Sequence, residues 1–285
     1  MELKIIADRE GRLSSFLQNE GKMSSSLINK LKWGDSIRVN GTPQRTNFPV
    51  RPGDVVTVFL DEPDPEYPPQ DGPLTIRYED AHILVVDKPP GMLIHPSRSQ
   101  NKGTLANFVY GYYARTNQMC AFHPVTRLDR DTFGIVLLAK NAHIHTLLQQ
   151  TQIEKIYHAL VYGGPEEESG TIDAPIARKP LPSLLREVSP LGKPSVTEFR
   201  VLERGSAVCK LALRPVTGRT HQLRLHCAHM GFPILGDPQY GSEESKSWSA
   251  CHGLHSQVLC AKSLTFRHPV TGEAMNLISQ MEAAL

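Results

Sequence analysis

The stretch VTRLDRDTFGIVLLAK, residues 125–140, places a highly charged segment directly before a run of apolar residues. The run from Gly134 to Ala139 has the length and composition of a buried strand. Arginine and aspartate alternate at the mouth of that strand. A solvated loop with local ion pairs would look like this, and so would a site for chemistry. The segment alone leaves both interpretations open.

Further strand and helix patterns surround this segment. Strand-strand-helix groupings without strict βαβ alternation predict an α+β domain on a mostly antiparallel or mixed sheet. Asn141 begins one predicted helix, and residues 217–229 form another. Besides Gly134–Ala139, the predicted strands are His82–Val86, Lys155–Val161, Val196–Leu202 and Val208–Leu213.

A second charged cluster is TGRTHQLRLHCAHMGFPILGDPQYG, residues 217–241. If the helix begins at Thr217, Arg224 lies on the same face as His221, three residues earlier. Such a helix start, with Arg219 nearby, could bind phosphate through backbone N–H groups and guanidiniums. A surface basic helix followed by a loop is the alternative.

Metal binding by Cys227, His229, Cys251 and His252 is conceivable, but their Cys-x-His and Cys-His spacings match no common zinc-ligand pattern. The five cysteines are odd in number, scattered, and never form a CxxC pair, as expected of reduced cytosolic thiols. We therefore expect neither a metal nor a disulfide framework.

A third segment, EKIYHALVYG at residues 154–163, places Lys155 and Tyr157 on the same side of a predicted strand. Together, the three segments resemble the RluA family of pseudouridine synthases, whose pattern is an Arg-Leu-Asp-Arg-x-Thr loop, then Lys-x-Tyr, then Gly-Arg-Thr-His-Gln-x-Arg. Similar stretches at residues 79–96, 233–241 and 264–273 extend the resemblance over residues 74–280.

The resemblance implies a pseudouridine synthase fold and isomerisation of uridine in RNA without a cofactor. It implies Asp129 as the catalytic carboxylate, Arg224 as its charge partner, and Tyr157 as the residue that stacks on the flipped uracil. It also implies RNA contacts for four residues that flank this set: Arg127, Lys155, Arg219 and His221.

The N-terminal segment, residues 1–60, has its own pattern. Leu13, Phe16 and Leu17 mark one helical face, Ser24–Ser26 offer an N-cap for a second helix, and Asn40-Gly41 suits a tight hairpin turn. This arrangement resembles the alpha-L RNA-binding motif of a small-subunit ribosomal protein. The resemblance makes three side chains natural phosphate contacts, although lysines are often merely solubilising: Lys30, Lys32 and Arg38.

Residues 61–73 hold five prolines and five acidic residues, which predicts an extended, self-repelling linker. The expected organisation is thus an RNA-binding domain over 1–60, a linker over 61–73 and a catalytic domain over 74–285. Nine basic and six acidic residues make the first segment mildly basic, whereas the whole chain carries a net charge of only +2.

No apolar run suggests a signal peptide or a membrane span, so we expect a cytoplasmic protein, with a monomer as the default. Compared with the family pattern, Thr126 replaces a histidine, Phe133 a serine, Ser25 an arginine and Cys260 a histidine. We expect a synthase for ribosomal RNA. The alternatives are a tRNA-directed synthase, an RNA-binding or ribosome-assembly protein that has lost turnover, and a metal-dependent hydrolase.

Overall fold

The computed structural model describes residues 2–60, 65–97, 99–180, 183 and 185–284. Within the first of these ranges, two helices pack on a small antiparallel sheet whose strand order is β1-β6-β3-β4, with a separate β2-β5 pair. The elements are β1 Glu2–Ile6, β2 Gly11–Arg12, α1 Leu13–Asn19, α2 Ser25–Leu31, β3 Ile37–Val39, β4 Thr42–Pro43, β5 Pro49–Val50 and β6 Val55–Phe59.

The local signals in this segment act as predicted. Leu13, Phe16 and Leu17 of α1 are all buried in the core of the small domain. The Ser24 hydroxyl caps α2 by accepting a hydrogen bond from the Leu27 N–H at 3.2 Å. Asn40 and Gly41 have φ values of +50° and +82° and join β3 to β4, which confirms the tight turn.

The larger domain is built on a sheet of ten strands. Eight of them follow the order β12-β15-β16-β11-β17-β10-β8-β7, and the other two are β18, which pairs with β17, and β9, which pairs with β10. The elements are β7 Thr75–Glu79, β8 Ile83–Lys88, α3 Leu105–Arg115, β9 His123–Pro124, β10 Phe133–Ala139, α4 Ala142–Gln150, β11 Glu154–Tyr162, β12 Ser169–Asp173, β13 Ile176–Arg178, β14 Arg186–Val188, β15 Val196–Arg204, β16 Val208–Pro215, α5 Gln222–His229, α6 Glu243–Cys251, β17 Leu259–Arg267 and β18 Ala274–Ile278.

The pairing of β10 with β17 is parallel, whereas the other neighbours in this sheet pair antiparallel. The predicted α+β class with a mixed, mostly antiparallel sheet is therefore confirmed. Strand β17 lies between β10 and β11, and its residue Ala261 pairs with Gly134 of β10 on one side and with Tyr157 of β11 on the other. This register brings the segments 125–140 and 154–163 together across one strand.

Strand β8 is buried on both faces, since helices cover the sheet on each side. Ile83 and Val85 point to the core that contains α4, while Leu84 and Val86 point to the core that contains α3. Alternate residues therefore serve opposite layers, as the period of a strand requires. This explains why the sequence of β8 is a continuous apolar run and does not alternate with polar residues.

Part of the predicted linker, residues 61–64, lies outside the described residues. Residues 65–73 form no helix or strand, but they are docked on α3 and do not behave as a free tether. The Gln70 N–H donates to the Asn107 carbonyl at 3.0 Å, and the Asn107 side chain donates to the Pro68 carbonyl at 2.9 Å. Proline-rich composition disfavours regular structure. Its carbonyls, and the N–H groups of the residues that are not proline, remain able to hydrogen-bond to a neighbouring helix.

The C-terminal tail is attached to the sheet through Glu282. Its carboxylate lies 2.8 Å from His158 Nδ1, 3.2 Å from Lys210 Nζ and 3.0 Å from Lys262 Nζ. Burial works against the charge, but the hydrogen bonds to His158 and the two lysines outweigh it and lower the pKa of Glu282 to about 2.

Gly111 provides a test of the docked segment. A Cβ at this position would overlap the Gln70 backbone, although alanine normally stabilises a helix by about 1 kcal/mol relative to glycine. We expect Gly111→Ala to lower the free energy of unfolding by about 1–3 kcal/mol, measured by urea denaturation. Gly11→Ala, where a Cβ meets open space, should change it by less than about 0.5 kcal/mol. A stabilised Gly111→Ala variant would contradict the packing.

Glu282 predicts a pH-dependent stability. Because the folded-state pKa lies below the unfolded value near 4.5, the contribution is complete above pH 4.5 and is lost as pH falls towards 2. Glu282→Gln should therefore lower the urea midpoint at pH 7, and the gap to wild type should narrow below pH 4.5. Glu203→Gln, at an exposed site on β15, is the matched control. An equal gap at pH 7 and pH 3.5 would exclude this origin.

Candidate active site

Asp129 lies in the loop that joins β9 to β10, and its side chain is 30% exposed. Buried polar groups hold this loop from below. Lys88 Nζ donates to the Arg130 carbonyl at 2.8 Å, and to two carbonyls of the turn after β8. Thr126 is buried, and its hydroxyl accepts the Leu137 N–H at 2.9 Å. The threonine that replaces the family histidine therefore ties the loop to β10.

Arg224, on α5, is the charge partner of Asp129. Its Nη1 donates to Asp129 Oδ2 at 3.1 Å, as the sequence predicted for this pair, and its side chain is only 5% exposed. Burial opposes the guanidinium charge, but two carboxylates overcome this and raise the pKa of Arg224. The guanidinium consequently carries a permanent charge at the wall of the site.

The second carboxylate is Asp237, which the sequence reasoning missed. Its two oxygens accept from Arg224 Nε at 2.7 Å and Nη2 at 2.8 Å, in a bidentate pair buried from solvent. Asp237 also accepts the backbone N–H groups of Gln239 and Tyr240. The only sequence signal was its place in the stretch GDPQYG after α5, where a turn is expected but no partner can be named.

The structure corrects the predicted helix over residues 217–229. Helix α5 begins at Gln222, because the Gln222 side chain accepts from the Thr217 hydroxyl and the Arg219 N–H, which holds residues 217–221 in a turn. His221 precedes the helix with φ of +58°, in the left-handed region. The nitrogens of Arg224 donate to carboxylates, so Arg224 is not free to bind a phosphate. The predicted phosphate site, with two guanidiniums at the start of a helix, is therefore wrong.

His221 nevertheless lies beside the Asp129–Arg224 pair. Its Nδ1 is 2.9 Å from the Tyr240 hydroxyl, and its Nε2 is 3.9 Å from Asp129 Oδ2. Burial lowers the pKa of His221, with the charge of Asp129 acting in the opposite direction. Tyr240, whose ring lies 5.2 Å from the Arg224 guanidinium carbon, links the histidine to the same cluster.

Tyr157 and Lys155, from β11, line one cavity with Asp129 and Arg224, and its volume is about 670 Å³. Burial and the charge of Asp129 raise the pKa of Tyr157 well above its usual value, so the phenol stays protonated. Burial lowers the pKa of Lys155, whose ammonium makes no ion pair with any described residue. The cavity thus combines an arginine–carboxylate pair, a phenol and a lysine side chain.

Seven of the ten predicted site residues line this cavity: Arg127, Asp129, Lys155, Tyr157, Arg219, His221 and Arg224. Arg127 and Arg219 are exposed at its rim. The other three, Lys30, Lys32 and Arg38, lie on the N-terminal domain and do not line it. Tertiary structure therefore joins three sequence segments into one site and leaves a separate basic surface elsewhere on the chain.

Within the described ranges, no three histidine, cysteine or carboxylate side chains are grouped closely enough to hold a metal ion. Across the same ranges, no helix combines the length and apolar character needed to cross a bilayer.

Comparison with known proteins identifies the family of this chain. The profile of the RNA pseudouridylate synthase family matches residues 82–229. The chain is similar to ribosomal large subunit pseudouridine synthase C of Vibrio vulnificus, with 33% identity over 95% of this chain and 89% of that protein. It is 36% identical to the D enzyme of Xanthomonas campestris over 87% of this chain and 78% of that protein.

A Bacillus subtilis protein, the uncharacterized RNA pseudouridine synthase YlyB, is 36% identical over 92% of this chain and 88% of its own length. Among solved structures, human RNA pseudouridylate synthase domain containing 1 superimposes with a TM-score of 0.62 at 27% identity, over 76% of this chain and 87% of that one. The chain therefore belongs to the RNA pseudouridylate synthase family and is an RNA-modifying isomerase.

Proposed function

We propose that this synthase converts uridine to pseudouridine in large-subunit ribosomal RNA, with Asp129 as the catalytic carboxylate. One observation carries the assignment: Asp129 lines a cavity and is held by a buried arginine, beside a protonated tyrosine. The printed names of the Vibrio and Xanthomonas relatives support ribosomal RNA as the substrate class. The structural arrangement supports the chemistry.

The reaction breaks the bond between the ribose C1′ and uracil N1, and it joins C1′ to C5 of the same base. The proton on C5 is lost and N1 gains one, so atoms balance without an external reactant. Such chemistry needs an ionised carboxylate near the sugar or the ring. Arg224 engages Asp129 Oδ2, whereas Oδ1 accepts no hydrogen bond from any described residue and stays available to the substrate.

Tyr157 is suited to holding the detached base. Its ring lines the cavity and its phenol remains protonated, so it can stack on uracil and present a hydroxyl to the ring without adding negative charge beside Asp129. In the proposal, Tyr157 also assists the final loss of the C5 proton by donating a hydrogen bond to the base while another group accepts that proton. Lys155 lies on the same wall and supplies N–H donors to a uracil carbonyl or to a phosphate.

The target nucleotide must leave its stack to reach the cavity, at a cost of about a few kcal/mol. Arg127 and Arg219 at the rim and Lys155 inside supply positive charge that offsets this cost. In the proposal, His221 supports Tyr240 and the arginine cluster and also faces the RNA. Residues 1–60 form an RNA-binding domain whose Lys30, Lys32 and Arg38 contact phosphates.

The remaining parts of the proposal are a cytoplasmic location and a monomeric state. An RNA-binding protein without turnover is less consistent with the site. Thr126 hydrogen-bonds the loop to β10, and with Phe133 at its position Asp129, Tyr157 and Arg224 still line one cavity. A tRNA substrate differs from the proposal only in the RNA that is recognised, and the activity assay below separates the two.

Asp129→Asn should reduce the rate of isomerisation by at least about 1000-fold, because an amide lacks the negative charge and the nucleophilic oxygen. Tritium release from 5-labelled uridine in large-subunit ribosomal RNA and in tRNA measures the rate, and carbodiimide mapping identifies the product. Asp131→Asn, two residues away, is the matched control and should stay within a few-fold of wild type. Product formation by Asp129→Asn at the wild-type rate would remove the assignment. Turnover of tRNA alone would replace the ribosomal substrate.

Arg224→Lys tests whether geometry as well as charge is needed. Lysine keeps the positive charge but cannot bridge Asp237 and Asp129 as the planar guanidinium does. We expect kcat to fall by about 100-fold while the dissociation constant for RNA changes little, because the carboxylate loses its orientation. Arg219→Lys at the rim should retain kcat. Equal kcat values for Arg224→Lys and wild type would show that Asp129 does not depend on this clamp.

A further inference from the structure

Trp33 lies in the turn after α2, residues 32–35, which we call the Trp33 turn. Its side chain is 74% exposed, which is unusual for the largest aromatic residue. The chain has one other tryptophan, Trp248, which is half-buried and stacked on His252 at 3.6 Å. Trp33 has no such aromatic partner among the described residues, so most of its indole surface remains open.

Two cations lie over this open ring. Lys32 Nζ is 5.1 Å and the Arg45 guanidinium carbon is 5.3 Å from the ring centroid. Arg45 is oriented by a hydrogen bond from its Nη1 to the Lys32 carbonyl at 3.0 Å, and Lys32 by one to the Asn29 side chain. Local hydrogen bonds therefore hold two positive charges close to one exposed aromatic ring.

The surroundings of the Trp33 turn are basic, with Asp35 as the one acidic side chain of residues 30–45. Arg38 donates from Nε to the Asp35 carbonyl, which adds a third cation to the turn, and Lys30 is exposed on the last turn of α2. Residues 30–45 contain four basic side chains and one acidic side chain. In the described part of the chain, none of these four cations pairs with a carboxylate. Repulsion between them is relieved by binding an anion.

We propose that the Trp33 turn binds an unpaired nucleotide of RNA, with the base stacked on the Trp33 indole and the flanking phosphates held by Lys32 and Arg45. Stacking needs an open aromatic face, and the backbone of a single strand needs cations beside it. The inference rests on the proposed function for the RNA, and it adds a base-stacking contact to the phosphate contacts proposed above for residues 1–60.

The charge pattern selects this occupant over a protein or a lipid surface. A protein partner would need a broader apolar patch, whereas Trp33 is surrounded by cations and polar turn residues. A membrane surface would need several exposed apolar side chains on one face. An unpaired base with its two phosphates matches one ring and several cations, and bases in loops and bulges are accessible in this way.

Fluorescence of the full chain tests the proposal directly. In a Trp248→Phe background Trp33 is the only tryptophan, so quenching by RNA reports on that ring. We expect a 12-nucleotide single-stranded RNA to quench the emission strongly and a duplex of the same sequence to quench it weakly. In an anisotropy assay with the labelled single strand, Trp33→Ala should weaken binding by about 5- to 100-fold. Trp33→Tyr should retain most of the affinity.

Met119→Ala is the matched control, because this side chain is 88% exposed and lies on the larger domain. It should bind RNA as wild type does. With a full-length substrate RNA, Trp33→Ala should raise KM and leave kcat within a few-fold, whereas failure of the proposed function shows as no turnover by wild type. Wild-type RNA affinity in Trp33→Ala, or equal quenching by strand and duplex, would overturn the proposal. Loss of self-association in Trp33→Ala with RNA affinity unchanged would also overturn it.

Discussion

The site depends on one buried arginine that two carboxylates share. A guanidinium that is removed from water must be paired and fully hydrogen-bonded, or the charge is costly to bury. Arg224 satisfies this requirement with a bidentate pair to Asp237, and it extends its remaining nitrogen to Asp129. Asp237 is the fully buried partner and Asp129 the partly exposed one. Asp237 therefore anchors the arginine in the protein interior, and the remaining nitrogen holds Asp129 at the cavity.

The surrounding sheet places the elements that this pair needs. Strand β17 separates β10 from β11, and its parallel contact with β10 occurs at Phe133 and Gly134. Gly134 has φ of +104°, and a Cβ there would overlap the Ala261 backbone. This close approach places the start of β10, which follows the Asp129 loop, level with Tyr157, which pairs with the same Ala261 from the other side of β17. The candidate site thus follows from backbone packing as well as from side-chain chemistry.

Buried polar groups explain why the loop tolerates a departure from the family pattern. Lys88 is fully buried and bonds to three backbone carbonyls, and burial lowers its pKa to about 8. Thr126 supplies one further hydrogen bond to β10. Because these contacts hold the backbone, the replaced histidine is not needed for the loop's position. The proposed catalytic carboxylate, Asp129, and the support beneath its loop are therefore contributed by different side chains.

Local sequence determined several elements of this protein and indicated the candidate residues that line its cavity. Apolar periodicity, the Ser24 cap and the Asn40-Gly41 turn depend on neighbours within a few positions, so they could be predicted. Tertiary structure alone decided that Asp237 holds Arg224, that α5 begins at Gln222, and that residues 65–73 dock on α3. Arg224 and Asp129 are 95 positions apart, and what joins them is strand order and register in the sheet. Such long-range contacts depend on the packing of the whole domain, which cannot be predicted from a local sequence pattern.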